Sequence, residues 1–373
     1  MCILRVGVMC ASVRVCIHVN AWLCIYELCD WHNTLPPHSH ICRRKRKTEA
    51  VFIWDEVKED LVRKGITIHM TDKDKMQATP DWSVIKDGAG REIRVLNIGK
   101  RHLSDVSIKL FIPDGDVLAR RERVLNMTIN EDDVLLLTYP KSGTHWLWEI
   151  ITMLLSGKAE HVPWKPDRDF LDRQGDKIEK NPSPKVITTH YNIGDLPRDV
   201  FKKKVKIVYV SRNPKSVAVS LYVHLKTAGY YGENFPETFS EFVPLFIDEK
   251  NYLGQYWYYY VTEVEKFCKE NLDYPILNLK YEEIKKNQHK EIKRLAEFLE
   301  SETSASLVAD IISKCDISNL KKVRGDTKDG GKPYMYRKGT VSDWKNWFTV
   351  ADNEAFDKVY QEKMAESDLE FEY

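Results

Sequence analysis

Three sets of residues in this 373-residue chain have types and spacings suited to chemistry on an anion. Tyr139-Pro-Lys-Ser-Gly-Thr144 follows an apolar run and leads into a helical pattern. Consecutive backbone N–H groups, the freedom of Gly143 and the hydroxyls of Ser142 and Thr144, set at the positive end of a helix, make an anion cradle. Lys141 stands before Ser-Gly-Thr, and the ATP-type pattern G-x-x-x-x-G-K-[ST] does not occur there, which argues against an ordinary ATPase or kinase. A strand-to-helix turn with an incidental lysine is the plainer alternative. Arg212 forms the second set with Ser220, eight residues on and one or two helical turns away, where a guanidinium and a hydroxyl can face one phosphate. An exposed arginine with no ligand is the alternative there. The third is His190, at the end of the apolar run Lys185–Thr189. A neutral imidazole with an ordinary pKa of ~6.5 takes a proton near neutral pH, although a lone histidine at a strand end more often serves structure.

The elements that must position these residues can be read from periodicity. Asp133-Val-Leu-Leu-Leu-Thr-Tyr139 is a short continuous apolar run, as in a strand buried on both faces of a parallel sheet. A helix over about Thr144–Leu155 follows. Lys185–Thr189, Lys206–Ser211 and Pro275–Lys280 are further buried-strand candidates, each ending in polar or turn residues. Ile292, Leu295, Ala296 and Leu299 share one helix face, and the aromatic stretch Tyr252–Phe267 reads as another helix. The alternation predicts an α/β fold of three layers, a P-loop-like parallel sheet flanked by helices. His190 then falls at the carboxyl edge of the sheet, where ligands bind in such folds. Turn signals at Asp87-Gly88 and Asp114-Gly115 mark hairpins or edge elements between Ile66 and Leu118. The aromatic run Tyr256-Trp-Tyr-Tyr-Tyr260 fits core packing better than ligand stacking. Tyr222 and the loop Gly229–Pro236 fit either a pocket lining or packing.

Composition narrows the class. The 57 basic and 56 acidic side chains nearly cancel, so no global field holds a nucleic acid, and a nucleic-acid partner is not expected. Six of the eight cysteines lie in the first 42 residues without a C-x-x-C rhythm, so no metal is expected, and the body reads as a reduced, intracellular, cytoplasmic protein. Charges at Arg5, Arg14 and Glu27 interrupt the apolar N-terminus before it could span a bilayer. The run Arg43-Arg-Lys-Arg-Lys47 would keep the body on the cytosolic side, and a membrane partner is not expected. Residues 1–50 read as an atypical extension, disordered or a gene-model artefact, and residues 51–373 as a single domain.

With these residues in view, the segment Tyr139-Pro-Lys-Ser-Gly-Thr-His-Trp146 resembles the loop Y-P-K-S-G-T-T-W of the cytosolic sulfotransferases, with His145 in place of the second threonine. The resemblance continues through Ser211-Arg-Asn-Pro-Lys-Ser-Val-Ala-Val-Ser220, Leu279-Lys-Tyr-Glu-Glu283 and Tyr336-Arg-Lys-Gly-Thr-Val-Ser-Asp-Trp-Lys345, covering roughly residues 132–360 in order. It implies a single-domain enzyme that takes 3′-phosphoadenosine 5′-phosphosulfate (PAPS) as co-substrate, without a metal. The sulfuryl group would pass to a hydroxyl or amine of a small acceptor such as a phenol, alcohol or steroid. Under that resemblance Lys141 meets the bridging oxygen, Ser142, Gly143 and Thr144 cradle the 5′-phosphate, and Trp146 and Tyr281 flank the adenine. Arg212, Ser220, Arg337, Lys338 and Gly339 hold the 3′-phosphate, and His190 is the base. Lys345-Asn-Trp-Phe-Thr-Val-Ala-Asp-Asn-Glu354 fits the family's K-x-x-x-T-V-x-x-x-E motif and implies a homodimer. Ser216, Thr188 and Ser342 stand where the family has aspartate, lysine and a second glycine. A PAPS-binding relative with weak or no catalysis and a P-loop phosphotransferase are the rival readings.

Overall fold

A computed structural model describes residues 119–229, 235–247, 256, 262–325 and 335–371 with their side chains, and the backbone of a few further segments named below. The second turn signal at Asp114-Gly115, residues 257–260 of the aromatic run and residues 230–234 of the aromatic loop lie outside the described residues. The chain divides into two units, Met1–Pro80 and Asp81–Tyr373. In the first, Cys2–Val8, Ala11–His18, Trp22–Leu28 and Arg43–Arg44 pair in order as antiparallel strands.

The second unit opens with the antiparallel strands Asp81–Lys86, Glu92–Ile98 and Arg101–Ser104, and the turn signal at Asp87-Gly88 lies outside the described residues. Its centre is a parallel sheet of β1 (Val134–Thr138), β2 (Val186–Thr189), β3 (Lys206–Ser211) and β4 (Ile276–Lys280), in the spatial order β4-β3-β1-β2. Each neighbouring pair is parallel, as the continuous apolar runs predict. The order reverses at β1, whose neighbours β2 and β3 lie on opposite sides, and such a switch point opens a crevice at the carboxyl edge.

Side chains alternate to the two faces of the sheet. Leu135, Leu137, Ile187, Ile207 and Tyr209 belong to one core cluster, while Val134, Leu136, Val186, Val208 and Val210 belong to the other. Helices cover both faces. Helix α1 (Thr144–Ser156) and helix α5 (Gln288–Leu299) pack into the second cluster, the latter through Ile292, Leu295, Ala296 and Leu299. Helices α2 (Pro214–Ala228), α3 (Phe239–Ile247) and α8 (Val350–Met364) pack into the first. Between these run α4 (Tyr281–Lys286), α6 (Ala305–Lys314) and α7 (Ile317–Arg324). Tyr256 is buried edge-on against Tyr139 at 4.9 Å, and its hydroxyl donates to the Arg212 carbonyl, which is the packing role. Tyr222 and Phe235 stack 5.6 Å apart inside the same core, and neither lines the cavity described below.

Local chemistry fixes where the helices begin. The Asn213 side chain accepts from the Ser216 N–H at 3.1 Å and Pro214 occupies the first turn of α2, placing that helix directly after Arg212. A Thr349–Asp352 capping box starts α8. Lys215, almost fully buried, ties α2 to α8 through Asp357 at 2.5 Å and Asn353 at 2.6 Å, beneath the Trp344 ring.

Candidate active site

Each strand of the central sheet delivers a candidate residue at its carboxyl end. The loop Lys141–Thr144 follows β1, His190 follows β2, Arg212 follows β3 and Tyr281 follows β4. Together with Trp146, Ser220 and the segment Arg337–Gly339 they line one cavity of about 460 Å³. Ser142 alone among the candidates is missing from that lining. It is fully buried, and its Oγ has no hydrogen-bond partner among the described residues.

The loop takes a turn that only certain residues tolerate. Lys141 has φ +70° and Gly143 φ +97°, both in the left-handed region. A Cβ on Gly143 would lie 2.9 Å from a Tyr281 ring carbon, so glycine is required by conformation and by space. Arg212 Nη1 donates to the Lys141 carbonyl at 2.5 Å, and the guanidinium lies 4.3 Å over the Tyr281 ring. Trp146 meets Tyr281 edge-on at 5.6 Å, with the Lys285 ammonium over the Trp146 ring. Burial lowers the pKa of that ammonium, with Asp316 opposing and Arg212 adding to the effect. Arg212 Nε is a second buried polar atom without a partner among the described residues. The orphaned Arg212 donor, on the cavity lining beside a glycine cradle, fits a phosphate-bearing ligand, because it would otherwise be left desolvated and unpaired.

His190 is held by two groups. Asp172 accepts from its backbone N–H at 2.9 Å and from the Thr189 hydroxyl at 2.7 Å. Its ring Nδ1 lies 2.7 Å from the Thr138 carbonyl, which can only accept, so Nδ1 carries the proton and Nε2 the lone pair. Phe170 packs edge-on to the ring at 5.0 Å. Burial pushes the imidazole below the ordinary histidine pKa, with Asp172 and the Thr138 carbonyl opposing and Lys141 adding to the effect. The His190 imidazole is therefore neutral at pH 7.

The segment after α7 is pinned at both ends. Arg337 and Lys338 both pair with Asp343, at 2.6 and 2.7 Å. Burial raises the Asp343 pKa, but Lys338 and Arg337 outweigh that and hold it down at about 2. Gly339 has φ +69°, and a Cβ there would meet Ile317 at 2.9 Å. Ser342, in contrast, has φ −104°, so serine fits that backbone without strain. The Ser216 hydroxyl donates to the Val341 carbonyl at 3.0 Å, so α2 ties this segment down.

Thr138, Asp172 and His224, which the sequence did not single out, complete the site. Thr138 joins the loop to the base, with its hydroxyl 2.7 Å from that of Thr144 and its carbonyl on His190. His224 Nδ1 lies 3.3 Å from the Lys141 ammonium. His145 lines the cavity with its pKa pushed down to about 4 by burial, which Asp167 opposes and Lys141, His190 and Arg173 assist. Thr188 is buried and lines no part of the cavity. The charged lining is eight lysines and arginines against one carboxylate, Asp167, among the described residues, so the cavity selects an anion. No cluster of three or more metal-ligating side chains occurs among the described residues, and no helix among them is long and apolar enough to cross a membrane.

Comparison with known proteins agrees with this geometry. A family model described as the sulfotransferase domain matches residues 131–368. Sulfotransferase 1A1 of Rattus norvegicus is 33% identical over 265 residues, which cover 66% of this chain and 89% of the relative. Sulfotransferase 1B1 of Canis lupus familiaris is 34% identical, covering 64% and 86% of the two chains. Among solved structures, a mouse sulfotransferase complexed with PAP superposes with a TM-score of 0.53 at 28% identity, over 68% of this chain and 91% of that one. A putative steroid sulphotransferase of Arabidopsis thaliana, 24% identical with a TM-score of 0.58, shares the fold over 82% of this chain and 99% of its own. The chain belongs to the sulfotransferase family.

Proposed function

We propose that this protein transfers a sulfuryl group from PAPS to a hydroxyl or amine of a small acceptor. The observation that carries the reading is the convergence of Lys141, His190, Arg212 and Arg337–Gly339 on one cation-lined cavity, each at a strand end or a pinned segment. The complex of the mouse relative with PAP supports the nucleotide assignment. The donor supplies an activated sulfuryl group on a phosphate leaving group. Backbone N–H groups of the Ser142–Thr144 loop hold the 5′-phosphate, Trp146 and Tyr281 flank the adenine, and Arg212, Ser220, Arg337, Lys338 and Gly339 receive the 3′-phosphate. His190 Nε2 takes the acceptor proton as the acceptor oxygen or nitrogen bonds to sulfur and the sulfur–bridging-oxygen bond breaks. Lys141 stabilises the charge left on the departing phosphate oxygen. Retinol and androsterone in complexes of a fold relative suit a small-molecule acceptor.

Incubation with radiolabelled PAPS and a panel of phenols, steroids, alcohols and amines, without added magnesium, tests the reading, with label expected on at least one acceptor. Thr188 in place of the family's lysine favours a second reading, a nucleotide-binding relative with weak catalysis. Tight PAP binding with no labelled product from any acceptor would select it. The cytoplasmic placement and the homodimer belong to the same proposal. Val350, 77% exposed in the first turn of α8 within Lys345–Glu354, supports a paired surface, and light scattering of wild type and Val350→Glu tests it.

A further inference from the structure

We propose that His224 is a positioning residue for Lys141, holding the lysine ammonium toward the reacting centre; this rests on the reading of Lys141 as the group that stabilises the leaving oxygen. Arg212 fixes the Lys141 backbone by donating to its carbonyl, and the φ of +70° commits the loop to that turn. The side chain has a long, flexible stem, and its tip meets His224 Nδ1 at 3.3 Å. An ammonium has only donors, so Nδ1 carries the lone pair and Nε2 the proton, the opposite tautomer to His190.

The choice of partner matters chemically. Arg337 and Lys338 are both paired with the Asp343 carboxylate, which offsets their charge. An imidazole that accepts through Nδ1 brings no carboxylate charge to the ammonium, so this contact leaves the lysine charge available to a developing anion. His224 lies four residues after Ser220 on α2, one helical turn along the same face, and both line the cavity. Helix α2 thus presents Ser220 and His224 side by side, with Arg212 just before its start.

The test compares wild type, His224→Leu and His224→Asn, since the Asn carbonyl oxygen stands close to the position of Nδ1. All three are checked by circular dichroism for folding. An N-hydroxysuccinimide acetate probe read by mass spectrometry reports the reactivity of Lys141, because loss of the acceptor raises the neutral, reactive fraction of the amine. The His224→Leu protein is expected to label several-fold faster at Lys141 and to bind PAP as wild type does. Its kcat for transfer from PAPS to a phenol should fall about 10²-fold, the scale of a ~1 Å misplacement at a reacting centre. His224→Asn should recover most of the kcat and bring the labelling rate back toward that of wild type. Equal labelling in all three proteins, or a His224→Asn enzyme as impaired as His224→Leu, would overturn the assignment. If wild type sulfates no acceptor, the proposed function fails by itself, and the labelling comparison still decides the role of His224.

Discussion

The Thr138 carbonyl accepts from His190 Nδ1 at 2.7 Å, and this contact decides which ring nitrogen keeps the lone pair, Nε2. It also couples the two ends of the site, since the Thr138 hydroxyl meets Thr144 in the phosphate loop. Replacing His190 with Ala should lower kcat by ~10²- to 10⁴-fold, the usual share of a general base, and leave PAP affinity unchanged. Because burial holds the His190 pKa below its ordinary value, the base stays unprotonated down into mildly acidic solution. The acid limb of kcat/KM in wild type should therefore fall below pH ~6.5, the free-histidine value. A limb at or above that value in a pH–rate profile would contradict the assignment.

Gly143 and Tyr281 make a second measurable pair. An Ala at position 143 must adopt φ +97° and place its Cβ 2.9 Å from the tyrosine ring. Gly157 shares the left-handed conformation, at φ +65°, but a Cβ there meets nothing within 4 Å. Gly143→Ala should weaken PAP binding in calorimetry by about tenfold or more, equivalent to ~1.4 kcal/mol. Gly157→Ala should cost stability alone. Equal PAP affinity for both variants would show that the loop does not depend on this contact.

The strands, the helix faces and the order of the motifs were legible because each depends on a local pattern. A continuous apolar run marks β1, and the spacing of Ile292, Leu295, Ala296 and Leu299 marks α5. The departures were less legible. Ser342 reads as the loss of a glycine, yet its backbone at φ −104° never needed one. Ser216 reads as an unexplained change from aspartate, yet its hydroxyl holds the Val341 carbonyl 125 residues away. Asp172 and His224 were invisible for the same reason. Their partners, His190 and Lys141, are 18 and 83 residues distant, and only the fold brings them together. The one available hint for His224 was its position one turn beyond Ser220.

Asp133 and Lys185 form a buried ion pair that anchors β1 to the segment entering β2. One Asp133 oxygen accepts from the Lys185 N–H at 3.1 Å, and the other from its ammonium at 2.9 Å. Both side chains are 2% exposed or less, so removing one strands the other without water. Asp133→Ala should cost about 3–5 kcal/mol in urea unfolding, the range for breaking a buried pair. An exposed pair such as Lys266–Glu270 should cost under ~1 kcal/mol by the same measurement. A similar loss for both would show that burial does not set the strength of the first.

His145 gives the fold a dependence on acid that its threonine counterpart would lack. Its pKa is pushed down to about 4 in the folded protein, from the ordinary histidine value of 6.5, chiefly by burial. As pH falls from 6.5 toward 4, the unfolded chain takes up this proton first, so acidification favours unfolding across that window. The loss approaches ~1.4 kcal/mol per pH unit and levels off once the folded form is also protonated. Buried His190 contributes in the same direction, so a His145→Thr variant keeps that share and loses only the share of His145. Asp343, held at about 2, ionises below the window and does not confuse the comparison. Urea unfolding at pH 7.5, 6 and 5 should therefore show a steeper loss for wild type than for His145→Thr. Parallel curves would mean that His145 takes its proton as readily in the folded protein as in the unfolded chain.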